Sequence, residues 1–206
     1  MSKAYVVGLT GPIGSGKSVV AQIFLNNDYK LIDADKVARE VVEKGSPVLE
    51  KLALEFGCDV INQDGTLNRR LLADRAFSTK EGTDRLNSIT HPAIVDLVKK
   101  KIAQYEENGV ERIIYDAPLL FESNTNKLCD CIVSVIAPKE VRIQRVIERD
   151  SVTEADVRKR ISAQHDESYY TEKSNYVIYN NSTLKELRRR TQSIVRALRE
   201  VENGEI

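Results

Sequence analysis

Apolar positions along the chain follow two different patterns. Five short runs, at residues 5–9, 30–32, 112–115, 132–136 and 176–178, are apolar without alternation. A strand covered on both faces reads this way, so these runs predict buried parallel strands. Between them, apolar residues recur at helical spacing over 18–25, 36–43, 48–56, 69–77, 80–88, 92–106, 139–149, 154–164 and 184–199. Gly45-Ser46-Pro47 separates two of these segments, and Pro92 reads as a first-turn residue that starts another.

Strands separated by helices predict an α/β fold, a three-layer parallel sheet wound with right-handed crossovers. The second and third strands are about 80 residues apart, and nearly all of that interval is helical. One crossover needs far less. The expected organisation is a core at 1–34, 110–140 and 166–206, a helical insertion at 35–109 that covers a substrate, and a smaller charged flap at 141–165.

Composition narrows the function classes. The chain has 206 residues, 41 % of them hydrophobic and 30 % charged, with 31 basic against 31 acidic side chains. A net charge of zero supplies no global field for nucleic acid or an anionic membrane. The aromatic residues are too scattered for a base-stacking platform. No apolar stretch is long enough for a membrane span, and the short run before Gly11 is no signal peptide. Cys58, Cys129 and Cys131 are odd in number and lack zinc spacing, which points to reduced thiols in a cytoplasmic protein. With His91 and His165 the only histidines, no histidine metal cluster is expected. The sequons around Asn180-Asn181-Ser182 read as a turn. No obligate protein partner is evident.

Gly11-Pro12-Ile13-Gly14-Ser15-Gly16-Lys17-Ser18 fits the phosphate-loop pattern G-x-x-x-x-G-K-[ST], with a predicted strand before it and a helix after it. Glycines let successive N–H groups turn inward on phosphates, and the helix N-terminus adds its positive dipole end. Lys17 then reaches the β- and γ-phosphates and the Ser18 hydroxyl holds Mg²⁺, which predicts ATP as ligand. Pro12 has no N–H to offer, so the cradle should be one amide short. A GTPase would need Asn-Lys-x-Asp, and Asn126-Lys127-Leu128-Cys129 carries Cys in place of the Asp.

Ile32-Asp33-Ala34-Asp35 ends the second strand, and the carboxyl ends of parallel strands face the ligand crevice. Alternation along an extended chain would aim Asp33 and Asp35 to one side. Asp35 is expected as the base for an attacking hydroxyl and Asp33 as the metal-side carboxylate, against a bland reading as a helix cap. Asp116 ends the third strand and is expected to meet Mg²⁺ or the acceptor. Arg142, Arg145 and Arg149 share a helix face that closes over a transferring phosphoryl group. Asn180 and Asn181 are placed to border adenine by backbone contacts. Arg188-Arg189-Arg190 and His165 read as solvated surface.

These motifs together resemble the dephospho-CoA kinases. The resemblance is carried by residues 8–18, by Ile32-Asp33-Ala34-Asp35, by His91-Pro92, by Asp116-Ala117-Pro118-Leu119-Leu120-Phe121-Glu122, by Arg145 to Arg149, by Gln164 and by Val177-Ile178-Tyr179-Asn180-Asn181. It spans nearly the whole chain, and the Asp116 to Glu122 string is its most specific part. It implies ATP-dependent phosphorylation of the ribose 3′-hydroxyl of dephospho-CoA. It also implies a nucleotide core, a helical CoA-binding domain at 35–109 and a lid at 141–165. Arg145 is then the phosphate-binding lid arginine and Arg149 the second choice. His91, Asp116, Pro118 and Leu119 lie toward the substrate. Two residues depart from the family pattern: Pro12 stands for the usual Gly and Val19 for the usual Thr. The rival readings are a shikimate-, gluconate- or nucleoside-monophosphate-type kinase and a non-catalytic nucleotide-binding regulator.

Overall fold

The computed structural model describes residues 3–202. Asp33–Gln104 form one compact unit and the rest of the described chain another.

The sheet of the larger unit is built from β1 (Tyr5–Thr10), β2 (Lys30–Asp33), β3 (Arg112–Asp116), β4 (Cys131–Ile136) and β5 (Tyr176–Tyr179), in the order β2-β3-β1-β4-β5. β1 pairs in parallel with β3 and β4, and β4 with β5; the apolar runs of β1, β3 and β4 are buried on both faces as expected, whereas β2 and β5 at the two edges are only partly buried. The register sets Leu9 beside Asp116 and Thr10 beside Ser134. The carboxyl ends of β1, β3 and β4 therefore lie side by side, just where the phosphate loop leaves β1.

α1 (Lys17–Leu25) and α9 (Leu184–Glu202) pack on this sheet. In α9, Leu187, Thr191, Val195 and Leu198 recur at helical spacing and are all buried, so one stripe of the helix meets the core. Phe24 of α1 is fully buried and meets Tyr29 edge to face, with ring centroids 4.9 Å apart. Truncating such an anchor to Ala costs about 3–5 kcal/mol. α6 (Lys139–Asp150) and α7 (Glu154–Ser162) enclose a second cluster of Ile143, Val146, Val157 and Ile161. The expected lid segment at 141–165 thus belongs to the larger unit, followed by a short α8 (Glu167–Thr171) that the sequence pattern did not announce.

The smaller unit holds α2 (Ala34–Glu40), α3 (Pro47–Phe56), α4 (Arg69–Ala76) and most of α5 (Lys80–Glu107). The break falls at Gly45-Ser46-Pro47 as expected, but its last two residues already belong to the start of α3: Ser46 caps it by accepting from the Leu49 N–H at 3.1 Å, and Pro47 lies in the first turn. Asn68 caps α4 in the same way. Lys101 of α5 pairs with Glu40 of α2 at 2.8 Å, and Arg85 of α5 with Glu55 of α3 at 2.9 Å.

Two expectations need correction. The segments expected at 80–88 and 92–106 form one continuous helix of 28 residues, with Pro92 inside it and not in its first turn. The carbonyl that loses its donor is that of Ser88, an exposed residue, so solvent can take the donor's place and the helix continues. The helix expected at 36–43 instead begins at Ala34, because Asp33 acts as its N-cap: the carboxylate accepts from the Lys36 N–H at 3.1 Å. No helix among the described residues is long and apolar enough to cross a membrane.

Candidate active site

The loop at residues 11–18 leaves the centre of the sheet and re-enters as α1. Gly11 has φ +137°, and a Cβ there would lie 2.2 Å from the Val135 carbonyl oxygen of β4. No side chain fits that approach. Gly16 has φ +100° as the N-cap of α1, and a Cβ there would lie 2.4 Å from Asn180 Nδ2. Lys17 folds back to donate from Nζ to the Gly11 carbonyl at 2.9 Å. Its ammonium is thereby held over the loop, where phosphate oxygens would take over from the carbonyl. Ser18 stands exposed in the first turn of α1, and Val19 is half-buried behind it.

The donors of the loop are unevenly committed. Pro12 is buried and has no N–H; its carbonyl accepts from the Ser15 N–H at 3.2 Å. The Ile13 N–H donates to Gln164 Oε1 at 3.0 Å. Among the described residues neither the Gly14 nor the Gly16 N–H is spent on a backbone carbonyl, and the start of α1 carries the positive end of the helix dipole. Ser15 is almost fully buried, and among the described residues its Oγ has no hydrogen-bond partner.

The Asp116 string runs alongside the end of β1. The Ala117 N–H donates to the Leu9 carbonyl at 3.0 Å, and Thr10 Oγ1 donates to the Pro118 carbonyl at 3.3 Å. Asp116 and Pro118 are therefore held one strand away from the root of the loop. Leu120 is fully buried and anchors the string, while its neighbour Leu119 is 59 % exposed. Glu122 faces His165 at 3.5 Å, and His165 stacks on Tyr169 at 3.6 Å between ring centroids. His165, expected as plain surface, is thus exposed but engaged.

Of the three arginines on α6, the structure brings the side chain of Arg145 to the loop. Its Nη2 donates to Asn180 Oδ1 at 3.3 Å, with a longer 3.5 Å approach of Nη1 to the Gly14 carbonyl. Arg149 instead pairs with its neighbour Asp150 at 2.7 Å, which raises the guanidinium pKa and lowers that of the carboxyl. Arg142 donates to the Ala137 carbonyl at 3.1 Å, and burial pulls its pKa down.

Asn180, expected to contribute backbone contacts, is buried and works through its side chain: Nδ2 donates to the Ser15 carbonyl at 2.8 Å. Asn181 is exposed and accepts from Arg190 at 2.9 Å. Arg190, read as solvated surface, also donates to the Tyr179 carbonyl and so ties α9 to the end of β5. Asn180 and Gln164 as loop supports escaped the sequence reading, because a polar side chain aimed at a distant backbone group leaves no local pattern.

Asp33, Asp35 and His91 belong to the smaller unit. Asp33 ends β2, but Asp35 sits in the first turn of α2, so strand alternation does not orient the pair. Asp35 is exposed. His91 lies within α5 beside Pro92, and burial lowers its pKa.

Among the described residues, no group of three or more His, Cys, Asp or Glu side chains could hold a metal by itself. Mg²⁺ of the nucleotide-bound kind takes only one or two protein oxygens and completes its shell from water and phosphate. The Ser18 hydroxyl and the Asp116 carboxylate are oxygen donors of the required type.

The chain matches the family described as CoaE, dephospho-CoA kinase, over residues 5–186. A Corynebacterium glutamicum protein named dephospho-CoA kinase is 40 % identical over 189 residues, which cover 92 % of this chain and 94 % of the relative. Dephospho-CoA kinase CAB5 of Saccharomyces cerevisiae is 40 % identical over 199 residues, covering 94 % and 82 % respectively. The crystal structure of TT1252 from Thermus thermophilus superposes with a TM-score of 0.80 at 29 % identity, covering 96 % of this chain and 99 % of that one. A phosphate loop rooted beside the Asp116 string, matched over nearly the whole chain, leaves one conclusion: the chain belongs to the dephospho-CoA kinase family.

Proposed function

We propose that the protein transfers the γ-phosphoryl group of ATP to the ribose 3′-hydroxyl of dephospho-CoA, giving coenzyme A and ADP, the last step of coenzyme A biosynthesis. The observation that carries this reading is the near-full-length match to named dephospho-CoA kinases. The Asp116 to Glu122 string held against the root of the phosphate loop supports it.

The Gly14 and Gly16 amides and the positive end of α1 hold the β- and γ-phosphates, and Lys17 leaves the Gly11 carbonyl to neutralise their charge. Arg145, already against the loop, adds positive charge to the transferring group. Asp35 accepts the proton of the 3′-hydroxyl as its oxygen bonds to phosphorus, and the bond to the β-phosphate oxygen breaks to release ADP. Ser18 would hold Mg²⁺, with Asp33 and Asp116 on the metal side, and the ion would supply charge neutralisation at the phosphate oxygens. Gly11, Ile13, Gly14, Ser15, Gly16 and Val19 complete the nucleotide site, with Arg149, Asn180 and Asn181 at its margin. His91, Pro118 and Leu119 face dephospho-CoA, the insertion at 35–109 is the CoA-binding domain, and 141–165 acts as a lid. The setting is the cytoplasm.

The test is an assay of purified protein with ATP, Mg²⁺ and dephospho-CoA, scored for coenzyme A and ADP. Phosphorylation of shikimate, gluconate or a nucleoside monophosphate with no coenzyme A formed would overturn the substrate assignment.

A further inference from the structure

Two of the amides at the front of the phosphate loop are unavailable to phosphate for different reasons. Pro12 has none, and that of Ile13 is given to Gln164 Oε1 at 3.0 Å, a contact 151 residues away in sequence. Gln164 sits just past the end of α7, where its own N–H closes on the Ile161 carbonyl at 3.1 Å. That bond ties its backbone to the helix end. Its side-chain oxygen must face Ile13, because the amide NH₂ group would set donor against donor.

The Ile13 side chain reinforces the link. It packs against the apolar cluster that α6 and α7 enclose, beside Ile143, Val146, Val157 and Ile161. The tip of the loop is thus fastened twice to the α6–α7 segment, by an apolar plug and by a directed hydrogen bond.

We propose that Gln164 is a positioning residue for the phosphate loop: by holding the Ile13 N–H it sets the front of the loop before ATP arrives. Phosphate contacts are thereby confined to the part of the loop that starts at Gly14. This rests on the reading of the loop as the ATP site. It also accounts for Pro12, because a loop front held by protein groups has no need of an amide at that position. A cradle set in advance binds its ligand with less ordering left to do.

Gln164→Met keeps the side-chain length and removes the acceptor, whereas Gln164→Glu keeps an acceptor. Amide hydrogen exchange in nucleotide-free protein is expected to show Ile13 protected in the wild type and in Gln164→Glu, and unprotected in Gln164→Met. Titration with ADP should show roughly three- to tenfold weaker binding to Gln164→Met, the range expected for one lost hydrogen bond. In turnover, the KM for ATP should rise by a similar factor while kcat and the KM for dephospho-CoA hold. A melting temperature close to the wild-type value separates this from general loosening. Unchanged Ile13 protection or unchanged ADP affinity in Gln164→Met would overturn the proposal. Neither exchange nor ADP binding requires an acceptor substrate. A wild-type protein that binds ADP but makes no coenzyme A would therefore refute the proposed reaction and leave this inference standing.

Discussion

Asn180 donates its side-chain amide to the Ser15 carbonyl at 2.8 Å and accepts from Arg145 at 3.3 Å, so one buried residue holds both the phosphate loop and its arginine. Asn180→Asp keeps an acceptor for Arg145 but sets a carboxylate against the Ser15 carbonyl. Asn180→Ala removes both bonds. Each variant is expected to lose about 1–3 kcal/mol in urea unfolding and to bind ATP more weakly, since a buried partner is left unsatisfied. Full rescue by Asp would show that the Arg145 contact alone matters.

Gly11 and Gly45 both have positive φ, at +137° and +80°, yet only Gly11 is crowded. An added Cβ at Gly11 meets backbone oxygen at 2.2 Å, whereas at Gly45 nothing lies within 4 Å. Gly11→Ala should abolish nucleotide binding in a calorimetric titration and cost more than backbone strain alone. Gly45→Ala should cost only about 1–2 kcal/mol for its left-handed backbone and leave turnover unchanged. Similar behaviour of the two variants would contradict the close packing of the loop on β4.

Asp35→Asn removes the proposed base and leaves the phosphate loop untouched. A fall in kcat of about 10²–10⁴ with an unchanged KM for ATP is expected in steady-state kinetics. Near-wild-type turnover would remove Asp35 from the mechanism.

Asp33 has a structural duty as the cap of α2, and Asn caps as well as Asp. Asp33→Asn therefore separates charge from capping. Stability should hold, while the Mg²⁺ concentration needed for half-maximal activity should rise if the carboxylate serves the metal side. A flat Mg²⁺ response would leave Asp33 with capping alone.

Burial pushes the Cys129 thiol up to about 12 and that of Cys131 to about 11. Both stay protonated at pH 8, whereas Cys58 is exposed. Iodoacetamide at that pH should label Cys58 first and the other two only on unfolding, as read by peptide mass mapping. Because the folded pKa values are raised, folding favours the neutral thiols. Their contribution is complete below the unfolded value of about 8.5 and declines as the pH rises past it. Unfolding curves at pH 8 and pH 10 test that direction.

Much of the fold was legible because its signals are local. Unalternating apolar runs marked the buried strands, and the residues of the Gly45-Ser46-Pro47 break became a cap and a first turn. The errors fell where a local rule met a longer element. Pro92 reads as a helix start in isolation but lies inside the 28-residue α5, where solvent can satisfy the one carbonyl it strands. Asp33 took the capping duty weighed for Asp35, because helix geometry began one residue after the strand ended.

The sequence by itself determined the phosphate loop, since glycine, lysine and serine at those spacings carry their chemistry within a few residues, and it marked the string from Asp116 to Glu122 by its resemblance to a family pattern. Only the tertiary structure decided which distant side chains support them. It chose Arg145 over Arg149 for the loop, committed the side chain of Asn180 to Ser15, and gave the Ile13 N–H to Gln164. Each choice is a hydrogen bond between groups far apart in the chain. Its strength depends on distance and direction in space, and neither quantity is written in the order of the residues.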